Sequence, residues 1–144
     1  MPETTISKLE AAEQLLNTAL RLLIDERDYV SAIVLAGSAE DLFQGMLEKK
    51  DLPSSRAQLA SATLTMHGFL YPEEHPPKDR EAFDMMRSAY NWLRHADKDD
   101  GFERRLDWKK EAVHIAMRAI DNLYALTGKD HPRRPELGYP LGSE

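Results

Sequence analysis

No cysteine occurs among the 144 residues. That single absence excludes a disulfide framework, a thiolate zinc site, an iron–sulfur cluster and a cysteine nucleophile, and makes a cytoplasmic location the simplest expectation. Long apolar runs are missing too: nowhere do about 18 apolar residues follow one another, so no membrane-spanning helix is expected. Met1-Pro2-Glu3-Thr4 shows no basic segment leading into an apolar one, so no export signal is expected either. Positive charge is in short supply. With 19 Lys and Arg against 25 Asp and Glu the formal net charge is −6, and only a local patch is left to attract nucleic acid. There is no Gly-x-Ser-x-Gly elbow, no phosphate loop and no Gly-x-Gly-x-x-Gly fingerprint, which removes the commonest enzyme classes.

What the sequence does have is helical patterning. A hydrophobic content of 42% beside 31% charged residues is that of a chain that folds, and its length fits one domain. Ser7-Lys8-Leu9-Glu10 reads as a capping box. Leu9, Ala12, Leu15, Leu16, Ala19, Leu20, Leu22 and Leu23 then recur on one side of a first helix ending near Glu26. Asp28 caps a second helix over about Tyr29 to Lys49, too close to the first for anything but an antiparallel hairpin. Its apolar residues go most of the way round, as in a central helix, and Gly37 and Gly45 predict close approach of a neighbour. Glu40 projects beside Ile33, Ala36, Phe43 and Leu47, so it either sits at the bundle rim in solvent or meets a polar partner around Arg94 and His95.

A short third helix is expected from Arg56 to Met66, capped by Ser54 or Ser55. Gly68, Pro72, Pro76 and Pro77 then predict an irregular stretch over residues 67–77, with Phe69, Leu70 and Tyr71 lying across the bundle under cover. A fourth helix spans Lys78 to Ala96, burying Met85, Met86, Ala89, Trp92, Leu93 and Ala96 with Tyr90 at one edge, and Asp97-Lys98-Asp99-Asp100-Gly101 ends it. The last helix runs from Leu106 to Thr127, with Gly128 as its stop. The expectation is an all-α antiparallel bundle of four long helices and one short one, occupying residues 1–128. An irregular Pro/Gly-rich tail over residues 129–144 follows, either frayed or stapled to the domain or to a second subunit by Leu137, Tyr139 and Leu141.

Candidate chemistry is sparse. Glu111-Ala112-Val113-His114 has the Glu-x-x-His spacing of ferritin-like di-metal bundles, but no second copy exists and both residues fall outside the apolar stripe. Reading Asp97-Lys98-Asp99-Asp100-Gly101 as a calcium loop puts Trp108 where the bidentate Glu belongs. Neither a metal nor a cofactor is expected. What remains is Asn91, Arg94 and His95 on one helical segment. An imidazole titrating near neutrality can move protons, and an amide or guanidinium beside it can hold a phosphate oxygen; equally, a His near a helix C-terminus satisfies free carbonyls. Arg87, Glu40 and Tyr90 are the supporting candidates for ligand contact.

The hairpin, the segment Ser31-Ala32-Ile33-Val34-Leu35-Ala36-Gly37-Ser38-Ala39-Glu40 and the later Asn91-Trp92-Leu93-Arg94-His95-Ala96-Asp97 resemble uncharacterised bacterial all-helical proteins related to the HEPN (higher eukaryotes and prokaryotes nucleotide-binding) superfamily. The likeness spans most of residues 7–127. Ribonuclease members carry an Arg, a polar residue after it, and a His further on, usually completed across a homodimer. Here His95 matches the histidine and Asn91 the polar residue. Tyr90 stands in the arginine's place and Arg87 has seven residues between it and His95, outside the pattern, so the Arg-x4-His motif is degenerate. The resemblance implies an up-and-down helical fold, dimerisation and a degenerate nucleotide or RNA site.

Two functions are therefore expected in order. The first is a non-catalytic association protein, homodimeric or bound to a protein partner, with no membrane contact; the loop and tail aromatics Phe69, Tyr71 and Tyr139, which ask for more cover than one small bundle offers, motivate it. The second is a HEPN-like, metal-independent ribonuclease or nucleotide binder, of the kind found in toxin–antitoxin pairs, using Asn91, Arg94 and His95.

Overall fold

The computed structural model describes residues 2–75, 78–95 and 101–138, which form seven helices and no strand: α1 (Lys8–Ile24), α2 (Tyr29–Lys49), α3 (Ser55–Leu70), α4 (Asp79–Met86), α5 (Ser88–Arg94), α6 (Trp108–Thr127) and α7 (Arg134–Gly138). No helix among the described residues is long and apolar enough to cross a membrane. The caps read from the sequence are in place. Ser7 Oγ accepts the Glu10 N–H at 3.0 Å and Asp28 Oδ1 that of Ser31 at 3.2 Å, each satisfying a donor left over at a helix start. Gly128, with φ +73°, closes α6 in the left-handed conformation that a side chain would resist.

The long helices α1, α2 and α6 make the core. Ala12, Leu16, Ala19, Leu20 and Leu23 of α1 meet Ile33, Ala36, Ala39 and Phe43 of α2, which on its other side meets Ala112, Ile115, Ala116, Ala119, Ile120 and Leu123 of α6. α2 is central, and its small residues set how closely its neighbours approach. Gly37 is where α5 comes in: a Cβ built there would lie 2.3 Å from the Tyr90 ring. Gly45 faces no neighbour within 4 Å, so only the first of the two glycines marks a close approach.

Three expectations are corrected. First, α3 runs on through His67 and Gly68 to Leu70. Pro72 sets the stop, since the residue before a proline is pushed out of the helical region and Tyr71 sits at φ −131°, ψ 65°. Phe69, Leu70 and Tyr71 are consequently not covered; they are 82%, 57% and 52% exposed.

Second, the expected fourth helix is two, broken at Arg87 (φ −110°, ψ 15°). In an unbroken helix the Met86 carbonyl would accept from the backbone four residues on. Here Arg118 of α6 donates to it at 3.0 Å instead, a side-chain insertion of the sort that kinks helices. The break turns Tyr90 inward to 2% exposure and leaves Met85 77% exposed, the reverse of the expected order. Ala96 and residues 97–100 lie outside the described residues.

Third, the tail begins with an ordered clasp. Leu137 is buried against the core, as a staple should be, whereas Tyr139 and Leu141 lie outside the described residues. Arg133 donates to both Asp25 oxygens, at 2.9 and 2.6 Å, and to Glu136 at 2.7 Å. Arg134 bridges Asp121 and Asp130. His131 Nδ1 accepts the Arg133 N–H at 3.1 Å and its Nε2 faces Asn17 Oδ1 at 2.7 Å, which fixes the neutral Nε2–H tautomer as the one that satisfies both contacts.

The clasp is expected to open in two acid steps. Hydrogen bonds from Arg133 hold Asp25 and Glu136 below the usual carboxylate range, and one from Arg134 does the same for Asp130. Their stabilisation is complete above the unfolded carboxylate pKa and disappears as pH falls through the lowered folded values, below about pH 4. Burial pushes His131 down. Its favourable contribution is complete above the unfolded histidine value of about 6.5 and shrinks as pH falls from there toward the lowered folded value. Amide exchange at Leu137, corrected for intrinsic rates, should therefore accelerate below pH 6.5 in the native chain, and His131→Gln should abolish that first step. Exchange flat between pH 7 and 5 would contradict it.

Candidate functional site

Six charged side chains meet where α2, α3, α5 and α6 converge, and the helices that bring them are fixed by the apolar packing just described. α2 supplies Glu40 and Asp41, α3 supplies Arg56 from its first turn, the α4–α5 break supplies Arg87, α5 supplies Arg94, and α6 supplies Arg118. Arg56 is positioned from α6. The first N–H groups of α3 have no partner within the helix, and Ser55 N–H is taken at 2.7 Å by Asn122, which is fully buried.

Glu40 is 0% exposed, so the rim position is excluded. Its partner is not Arg94 or His95 but Arg118, whose Nε donates to Glu40 Oε2 at 2.8 Å. Arg87 Nε lies 3.8 Å from the other oxygen, an ion pair without a hydrogen bond. Arg87 spends its terminal nitrogen on Asp41, at 2.8 and 2.9 Å from the two carboxylate oxygens. Arg56 and Arg94 approach the same carboxylate only to 3.8 Å, Arg56 on the Oδ1 side and Arg94 on the Oδ2 side. Arg56 also donates to Gln44 and lies over the Phe83 ring. Burial, and after it the charge of Arg87, holds Arg56 below the ordinary arginine range, the signature of a cation short of compensation.

Tyr90 is the hub of the aromatic side. Arg87 and Arg94 both stack on its ring, with 4.5 and 4.9 Å to the centroid, a favourable use of the planar guanidinium. Its hydroxyl lies 3.4 Å from both Ser38 Oγ and Asp41 Oδ2. The structure thus gathers Glu40, Arg87, Tyr90 and Arg94 at one place. Asn91 is half-buried and makes no side-chain hydrogen bond to this cluster among the described residues; His95, half-buried, is the residue on which α5 ends. Sequence reading missed Asp41, Arg56 and Arg118. For Arg118 a signal existed: it is a lone cation between Ile115 and Ala119 on the apolar stripe of α6, as Glu40 is a lone anion on that of α2. Asp41 and Arg56 gave none.

Bordering this cluster at Arg118, Glu111 is half-buried and His114 exposed on a cleft of about 470 Å³ that Met85, Met86 and Met117 also line. No group of three or more His, Asp or Glu side chains among the described residues is arranged to hold a metal. The second surface feature is α3. One side of it carries a groove of about 740 Å³ lined by Pro53, Ala57, Ser61, Ala62, Met66 and Phe69. No family model matches this chain, and comparisons with curated proteins and with solved structures give no match either.

Proposed function

We propose that the protein is a non-catalytic association module that works as a homodimer through α3, within a HEPN-like helical arrangement. The observation that carries this reading is the outer side of α3, where Met66 and Phe69 are 58% and 82% exposed and extend a groove walled by small residues. Exposed apolar surface of this extent is costly to leave in water. The helix is also complementary to itself. Its first half offers Ala57, Ser61 and Ala62, and its second half offers Met66 and Phe69 on the same side. Two copies crossing antiparallel about a two-fold axis would set each Phe69 into the small-residue half of the other, the self-matching that an isologous interface requires.

Light scattering on the purified chain at tens of micromolar is expected to give twice the 16.4 kDa chain mass, and Phe69→Glu is expected to give the monomer with its helical circular dichroism intact. A monomeric native chain refutes the reading. The ribonuclease reading is favoured by a different observation, the pairing of Arg87 and Arg94 on the Tyr90 ring, with His95 following Arg94 in the chain. It predicts RNA cleavage that His95→Ala abolishes without lowering the melting temperature.

A further inference from the structure

Charge does not balance in the cluster around Asp41. Arg118 answers Glu40 and Arg87 answers Asp41 at hydrogen-bond distance, which leaves Arg56 and Arg94 without a carboxylate of their own among the described residues. Their 3.8 Å approaches to Asp41 are too long for hydrogen bonds, whose N···O distances end near about 3.2 Å. Arg56 is 7% exposed, and its Nε has no hydrogen-bond partner. Arg94 stands at the surface with its side chain 45% exposed, its face occupied by Tyr90 and its N–H edge, among the described residues, engaged only by the long approach to Asp41. A buried guanidinium with a spare donor, placed beside three others, is unfavourable unless an opposite charge joins it.

We propose that Arg56 and Arg94, flanking Asp41, bind a small doubly charged oxyanion of the phosphate class, either free phosphate or the terminal phosphate monoester of a small molecule. The charge decides the class. Two unmatched cations fit a dianion, whereas an internal phosphodiester carries one negative charge and would leave a cation unmatched. Guanidinium forks suit the shape, since each presents paired N–H donors to neighbouring oxygens of a tetrahedral anion. Asp41 does not repel such a guest strongly, because Arg87 binds both its oxygens and neutralises it. The overall negative charge of the chain and this local surplus act together: polyanions are repelled at long range while a small anion is held at close range. This site shares no residue with the groove on α3, although Arg56 comes from the first turn of that helix.

Isothermal titration and thermal melts of the full chain test it, with inorganic phosphate, glycerol 3-phosphate and sodium chloride compared at matched ionic strength. Phosphate is expected to raise the melting temperature where chloride does not, and the stronger of the two phosphate compounds identifies the source. Arg94→Gln, at a largely exposed position, is expected to lower the melting temperature in chloride only slightly, through its lost stacking on Tyr90, and to weaken phosphate about ten- to a hundredfold, the loss that corresponds to one or two charged hydrogen bonds. Arg56→Gln should weaken it at least as much, and if that variant fails to fold, Arg94→Gln still decides. Equal stabilisation by chloride, or phosphate binding unchanged in Arg94→Gln, overturns the proposal. So does a hydroxyl-ended RNA oligonucleotide that binds through Arg94 more tightly than phosphate.

Discussion

Gly37→Ala is expected to destabilise the protein by about 1–3 kcal/mol, although alanine is the better helix former by about 1 kcal/mol. The new methyl would lie 2.3 Å from two carbons of the Tyr90 ring and 2.7 Å from a third, closer than non-bonded atoms tolerate. The ring has little freedom to yield. It is 2% exposed, two guanidiniums lie over it, and its hydroxyl is placed between Ser38 and Asp41. Relief must come from α5 moving away from α2, which would carry Arg94 with it. Two controls sharpen the test in chemical denaturation. Gly45→Ala, with nothing within 4 Å of its new methyl, should stabilise by up to about 1 kcal/mol through helix propensity. Gly37→Ala made in a Tyr90→Leu background should lose most of its penalty, because its cause has been removed. A stabilised Gly37→Ala single variant would mean that Tyr90 does not pack where it is placed here.

The parts of this fold that were legible in the sequence are those where local signals agree with burial. α1 and α2 carry side-chain caps at Ser7 and Asp28, and all three of α1, α2 and α6 carry apolar residues at helical spacing, so their bounds follow within a residue or two. The all-helical class follows from the same signals. For α3 the local signal misleads, because Gly68 reads as a breaker while the actual stop is set by Pro72. The break at Arg87 had no local signal at all: its cause is the Arg118 guanidinium reaching the Met86 carbonyl from a helix 32 residues away in sequence. The site divides in the same manner. Glu40 stands out as an acid on an apolar face, but the polar partner expected for it around Arg94 and His95 is not the one it has. Arg118 pairs with Glu40 across 78 residues, and that pairing depends on how α2 and α6 are rotated against each other, which periodicity alone leaves open.

Arg118→Met should produce the largest loss of stability in the molecule, about 3–5 kcal/mol, because it leaves the fully buried Glu40 carboxylate without its hydrogen-bonded cation. The penalty belongs to the orphaned charge and not to the worth of the pair. Glu40→Leu combined with Arg118→Met should therefore recover most of the loss, since a well-packed apolar pair is often as stable as the buried ion pair it replaces. A double-mutant cycle in urea measures the coupling directly. The same variant should alter local structure, since the Met86 carbonyl loses its donor from Arg118 and becomes free to accept from the backbone N–H of Tyr90, closing the break between α4 and α5. Straightening that segment would rotate Tyr90 and Arg94 away from Asp41. The double variant, although stable, should thus bind phosphate more weakly than the native chain, while Arg94→Gln should affect binding far more than stability. If instead Arg118→Met melts within about 1 kcal/mol of the native protein, then Glu40 is not sealed from water and the central role given to this ion pair fails.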